Sequence, residues 1–257
     1  MKTHDVFSND NEIRRLYNRS VTYIAVLPLI GMFMATTSPV QDSVNTASSE
    51  LNEILSRMAS HEEWQNRHLI QYQVHRKFYA ENPRFKKQAA LEVKTSFRRP
   101  TTFESEVIRS EGSKMIRERV FDKILEAEAQ ANTELTRQEI SITPANYAFA
   151  LLGKQDCTGR PCYQLRINPK QRNNYSIAGH IWVDAEDGAI VRIQGSPAKR
   201  RSFWTLSTEI ERRYKRIDGV WLCDVMESTS DIFMGGRSTL KIEYNYLSVQ
   251  TESNIAH

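Results

Sequence analysis

The chain has 257 residues, and its 35 basic and 31 acidic residues leave a net charge of +4. That length suits one β-rich domain behind an N-terminal segment, long enough to bury roughly 70% of its unfolded surface. Its basic clusters, Lys199-Arg200-Arg201 and Arg212-Arg213, are short and set in mixed surroundings. They read as a solvated strand face, and nucleic-acid binding, which needs a contiguous basic footprint, is set aside.

Residues 1–20 are polar and carry Arg14, Arg15 and Arg19; an uncharged run from Val21 to Ala35 follows, then Thr36, Thr37 and Ser38. A basic start, an apolar run and small polar residues make an export signal. The run is short of the roughly 20 residues of a membrane span. Phe33 sits three positions before a cut after Ala35, a poor cleavage site. Residues 1–38 are therefore expected to be a signal peptide or an uncleaved signal anchor, and residues 39–257 one domain. No cysteine follows the run, which argues against a lipid-modified start, and the residues around Arg14-Arg15 fit a twin-arginine signal poorly.

Residues 46–67 read as a helix, with Leu51, Ile54, Leu55 and Met58 at helical spacing. The period then changes to two. Ile70, Tyr72, Val74 and Phe78 alternate, as do Ala89, Leu91, Val93 and Phe97, and Phe103 shares a side with Val107. These are three half-buried antiparallel strands. A second helix is expected over 112–133, with Ile116, Val120, Ile124 and Leu125 as its apolar stripe. Strands resume at NYAFALLG and CYQLRINP and run to the end of the domain. Tight turns fall at Asp187-Gly188 and Asp218-Gly219, and Gly235-Gly236 separates the last two strands. The fold class is α+β: one antiparallel sheet of about ten strands and two amphipathic helices. A sheet that size must curl. Two helices cannot close over it entirely, so apolar surface remains as a groove or cavity, where apolar ligands bind.

The segment GHIWVDAEDGAIVRI holds three carboxylates within four residues. Counted from Asp184, a calcium loop needs oxygens at positions 5 and 12, where Gly188 and Gly195 stand. The acids are therefore read as a hairpin turn. His61 and His68 are seven apart, whereas a zincin helix needs four, and they read as surface residues of a helix end. No nucleophile elbow, phosphate loop or dinucleotide fingerprint is present. The expectation is a protein without catalytic residues, metal or cofactor. Of three cysteines, Cys157 and Cys162 flank a turn-like Thr-Gly-Arg-Pro. They are the candidate disulfide pair, and Cys223 is the odd one. Trp182, Trp204, Trp221, Tyr147, Phe149, Tyr163, Tyr244 and Tyr246 read as core and cross-strand packing, or as cavity lining. The aliphatic residues put forward as cavity lining are Leu165, Ile167, Ile181, Val183, Val191, Ile193, Leu206 and Ile210.

From Ser141 to Tyr246 the chain resembles the LolA/LolB-like superfamily of bacterial outer-membrane lipoprotein-sorting proteins. The residues that carry this are ITPANYAFALLG, CYQLRINPK, GHIWVDAEDGAIVRIQGSPAKRRSFW, IERRY, GVWL and LKIEYNYL, with RVFDKILEAEAQ upstream. The resemblance implies a periplasmic protein with an incomplete β-barrel, its helices a lid over an apolar cavity. The implied partners are lipids or the acyl chains of lipoproteins. The same fold, by resemblance, serves in envelope-stress regulators of RseB type, which implies an alternative role as a sensory or interaction module engaging an envelope membrane protein.

Overall fold

The computed structural model describes residues 39–100, 102–131, 138–173, 175–199 and 205–252, so the expected export segment and Trp204 lie outside the described residues. Helix α1 spans Pro39–His68, starting before the expected residue 46. Proline is tolerated in a first helical turn because its missing N–H would have no intrahelical acceptor there. Three strands follow: β1 (Leu69–Asn82), β2 (Lys87–Arg98) and β3 (Thr102–Gly112). The second helix is a rod of three pieces: α2 (Lys114–Ile116), a π-helical turn (Arg117–Phe121) and α3 (Asp122–Ala131). Seven strands complete the chain: β4 (Tyr147–Asp156), β5 (Pro161–Pro169), β6 (Ile177–Asp184), β7 (Ile190–Pro197), β8 (Thr205–Ile217), β9 (Val220–Ile232) and β10 (Gly236–Thr251).

All ten strands form one open antiparallel sheet in the order β3-β2-β1-β10-β9-β8-β7-β6-β5-β4. The chain enters at β1 inside the sheet, runs out to the β3 edge and crosses to the β4 edge. It then meanders back until β10 lies beside β1. Both edges are blunted by charge, with Glu104, Glu106, Arg109 and Glu111 along β3 and Lys154 and Asp156 at the end of β4. Charged side chains on an edge discourage pairing with another chain.

Strand alternation sorts the side chains onto two faces. Along β1, Val74, Arg76, Phe78 and Ala80 are buried, and Gln73, Lys77 and Tyr79 are exposed. The buried set faces the helices. Two apolar clusters form on this inner face, each under one helix. Ile54 and Met58 of α1 pack on Tyr163, Leu165, Ile167, Ile181, Val183 and Ile193. Ile116 and Phe121 of the second rod pack on Phe78, Ala80, Leu91, Val93 and Ile242. Each fully buried aliphatic or aromatic side chain contributes about 1.5–3 kcal/mol. A third, small cluster of Cys162, Trp182 and Val191 lies on the outer face, with Cys157 and Trp221 against it.

The strand registers place one row of inner-face residues side by side across the sheet. Leu91, Phe78, Ile242 and Met226 lead to Arg212, and from there the row continues through Ile193, Ile181, Leu165 and Leu151. Arg212 is the one charge in an otherwise apolar row over nine strands. Gly179 and Gly195 stand opposite each other on β6 and β7, and a Cβ on Gly179 would come within 2.5 Å of the Gly195 Cα. Their bare backbones leave room for the close approach of the two strands.

Candidate ligand groove

Helix α1 is held to the sheet by its apolar stripe and by polar contacts with two hairpin turns. Arg57 donates from Nη1 to the Ala185 carbonyl at 2.7 Å. Gln65 clamps Trp221, accepting from its N–H at 2.7 Å and donating to its carbonyl at 3.2 Å. Trp64 stacks on His68 at 4.4 Å between ring centroids.

The acids of the β6–β7 hairpin build one of those turns. Asp184 is buried; its Oδ1 accepts from the backbone N–H groups of Glu186 (3.0 Å) and Asp187 (2.8 Å). Arg160 donates to both of its oxygens, at 2.5 and 2.9 Å. Burial alone would raise the Asp184 carboxyl. The Arg160 guanidinium and the two amides outweigh it and hold the group below the ordinary carboxylate value. Asp187 accepts from the Trp221 indole N–H at 2.9 Å. The carboxylates thus organise a turn, as their spacing predicts, and present it to α1. Among the described residues no group of three or more His, Cys, Asp or Glu side chains is placed to hold a metal.

The expected lining residues divide. Leu165, Ile167, Ile181, Val183 and Ile193 lie buried beneath α1, and Ile210 is buried opposite Gly195. Leu206 is 55% exposed, because the β8–β9 register slips between Thr205 and Ser207 and leaves it unpaired. A second slip, between Trp182 and Val183, carries Val191 to the outer-face cluster with Trp182 and Cys162. Period-two reasoning carries a side chain to the wrong face once a bulge intervenes. Cys157 and Cys162 lie against each other as free thiols. Burial, more than the neighbouring thiol, pushes the Cys162 thiol well above its ordinary value.

Between the two helices, strands β8, β9 and β10 form a strip of different character. Arg212, Tyr214, Cys223 and Tyr244 are half-buried there, neither sealed in the core nor fully in water. Tyr214 borders the cluster under α1, and Tyr244 borders the cluster under the second rod. Arg76, on β1 opposite Tyr244, is 2% exposed. It donates to both oxygens of Glu128 on α3 at 2.9 Å and to Ser105 Oγ at 3.3 Å, with its guanidinium 5.2 Å from the Phe78 ring centroid. Burial alone would lower the Arg76 value; the Glu128 carboxylate reverses this and holds it above the ordinary one. Arg76 Nε is buried without a hydrogen-bond partner.

Arg212 differs from Arg76. Its neighbours are the phenols of Tyr214, Tyr244 and Tyr147 and the thiol of Cys223, and no carboxylate among the described residues pairs with it. The sequence suggested a solvated strand face for Arg212; the Ile193 pairing turns it inward instead. The signal was available in the alternation Ile210-x-Arg212-x-Tyr214, in which an arginine shares the parity of a buried isoleucine. Burial raises the phenols of Tyr147, Tyr214 and Tyr244 above the ordinary tyrosine value, although Arg212 opposes it at each, so all three keep their protons. Burial likewise pushes the Cys223 thiol up to about 11. The strip therefore offers one fixed positive charge and several neutral donors.

The site thus sits on one open ten-stranded antiparallel sheet whose inner face carries two helices, with Arg212 and its tyrosines between them. A family model described as "-like: Uncharacterized protein" matches residues 124–255, just over half of the chain, and the chain belongs to that family. Among solved structures, it is similar to a DUF1329 family protein from Desulfovibrio piger, at 13% identity and a TM-score of 0.39, over 78% of this chain and 91% of that one. A putative outer membrane lipoprotein-sorting protein domain from Vibrio parahaemolyticus has 10% identity and a TM-score of 0.39, over 76% and 91%. A LolA superfamily protein from Nitrosomonas europaea has 10% identity and a TM-score of 0.35, over 77% and 92%. No curated protein matches the chain.

Proposed function

We propose that this protein is a non-enzymatic periplasmic carrier that buries lipid or lipoprotein acyl chains between its sheet and its two helices. The observation that carries the reading is the division of the inner face. Two apolar clusters each have their own helix as a cover, and a half-buried seam lies between them. Leu165, Ile167, Ile181, Val183, Ile193 and Ile210 become ligand-lining once α1 lifts. An acyl chain then takes the place of Ile54 and Met58, each buried methylene contributing about 0.8 kcal/mol. Such an exchange of one apolar cover for another keeps binding reversible. No helix among the described residues is long and apolar enough to cross a membrane. In this reading residues 1–38 direct export or anchor the domain.

Native mass spectrometry of the protein isolated from its own cell envelope tests this. The expected result is a mass increment that organic extraction releases as acyl lipid. A protein that is always empty, cross-linked in the envelope to a membrane protein, would replace the carrier with an interaction module.

A further inference from the structure

The inward charges of the strip are unequally matched. Arg76 has a carboxylate on both of its near contacts. Arg212 has none among the described residues, yet it stands in a row whose next members on either side are Ile193 and Met226, with Ile181 and Ile242 beyond them. A guanidinium partly removed from water and left unpaired is unfavourable, and arginine stays protonated. The groups around it, three phenols and a thiol, are neutral, and each phenol keeps an O–H to donate while its oxygen accepts. A site of donors with one fixed positive charge is completed by an acceptor carrying negative charge. The guanidinium fork matches carboxylate and phosphate oxygens.

The row adds a direction. From Arg212 through Ile193, Ile181 and Leu165 to Leu151 is four strand spacings, or about 19 Å of apolar floor. A charge at one end of an apolar strip of that length has the polarity of an amphiphile.

We propose that Arg212, flanked by Tyr147, Tyr214 and Tyr244, receives the oxyanion head group, carboxylate or phosphate, of an amphiphile whose alkyl chain lies along this row. The proposal rests on the acyl-binding reading above and names the ligand's head group. Arg212 positions the ligand at the seam, where both helices can close over it, and its fixed positive charge disfavours cationic, donor-only head groups.

Calorimetric titration of the full chain with dodecanoate, dodecyl phosphate, dodecanol and inorganic phosphate tests it. Wild type is expected to bind the two anionic amphiphiles about tenfold or more tightly than dodecanol, the scale of one hydrogen bond to a charged group. Arg212→Gln is expected to abolish that preference by weakening the two anionic amphiphiles far more than dodecanol, with Arg212→Lys in between. Tyr244→Phe, which keeps the ring, serves as the second probe should Arg212→Gln fail to fold, and is expected to reduce the preference severalfold. Dodecanoate and dodecanol binding alike to wild type would overturn the head-group assignment and leave acyl binding standing. Binding of none of the three alkyl probes would overturn both. Inorganic phosphate binding as tightly as dodecyl phosphate would identify a free-anion site and refute the amphiphile.

Discussion

Gly188 shows how a single position can couple a turn to a helix. Its φ is +73°, a left-handed conformation that favours glycine, and a Cβ there would sit 2.7 Å from the Arg57 carbonyl oxygen of α1. Gly188→Ala is thus both strained and obstructed, and the neighbour that would have to yield is helix backbone. The expected loss is about 1–3 kcal/mol, measurable as a lower midpoint in urea. Asp184, at the start of the same turn, gives a pH signature. Its folded carboxyl titrates below the ordinary value of about 4, so its contribution is complete above that value and disappears as pH falls through the depressed one. Asp184→Asn should lower stability at neutral pH and flatten the acid limb of the stability curve. An acid limb unchanged by the substitution would contradict the assignment.

At the scale of elements, the two helices are held differently. α1 is fixed by its apolar stripe and two turns, whereas α3 carries Glu128, the carboxylate on a buried arginine. Glu128→Gln removes the charge opposite Arg76 and should destabilise by about 3 kcal/mol, since an unmatched buried charge costs more than the pair contributes. The double variant Arg76→Met with Glu128→Leu should recover most of that loss, as chemical denaturation of wild type and the two variants would show. The helices themselves were legible in the sequence, because a 3.6 period spread over many turns survives local error. α1 was placed within a turn or two, and the second rod within two residues at each end. What the sequence did not disclose is the π-helical turn within that rod, or the register slips at Trp182/Val183 and Thr205/Ser207. A bulge follows from how two strands share hydrogen bonds, which neither strand's pattern records. Val191 and Leu206 lie off the buried inner face for that reason, and the six other aliphatic residues share it.

For the molecule as a whole, ten strands, antiparallel pairing and two helical covers were all readable from alternation and turn chemistry. The order of the strands was not. Nothing in β1 or β10 alone announces that they pair, because each is equally suited to several neighbours. The groove was half legible for a related reason. Tyr147 and Tyr244 stood out as aromatic candidates, but their convergence on Arg212 depends on contacts among β4, β8 and β10, which are distant in sequence.

That pairing has a consequence for how the molecule comes into being. Leu69 faces Thr251, so the first strand of the sheet waits for the last. Residues 236–251 bridge two parts of the sheet, β1 to β3 on one side and β4 to β9 on the other. The seam that holds Arg76, Tyr244 and Arg212 does not exist in either piece. It is assembled only at the final closure, when the largest loop in the chain is drawn shut and its entropy lost. The β4–β9 part carries Arg212 and its apolar row, and β10 adds Tyr244 and the neighbouring cluster around Ile242 that complete the seam.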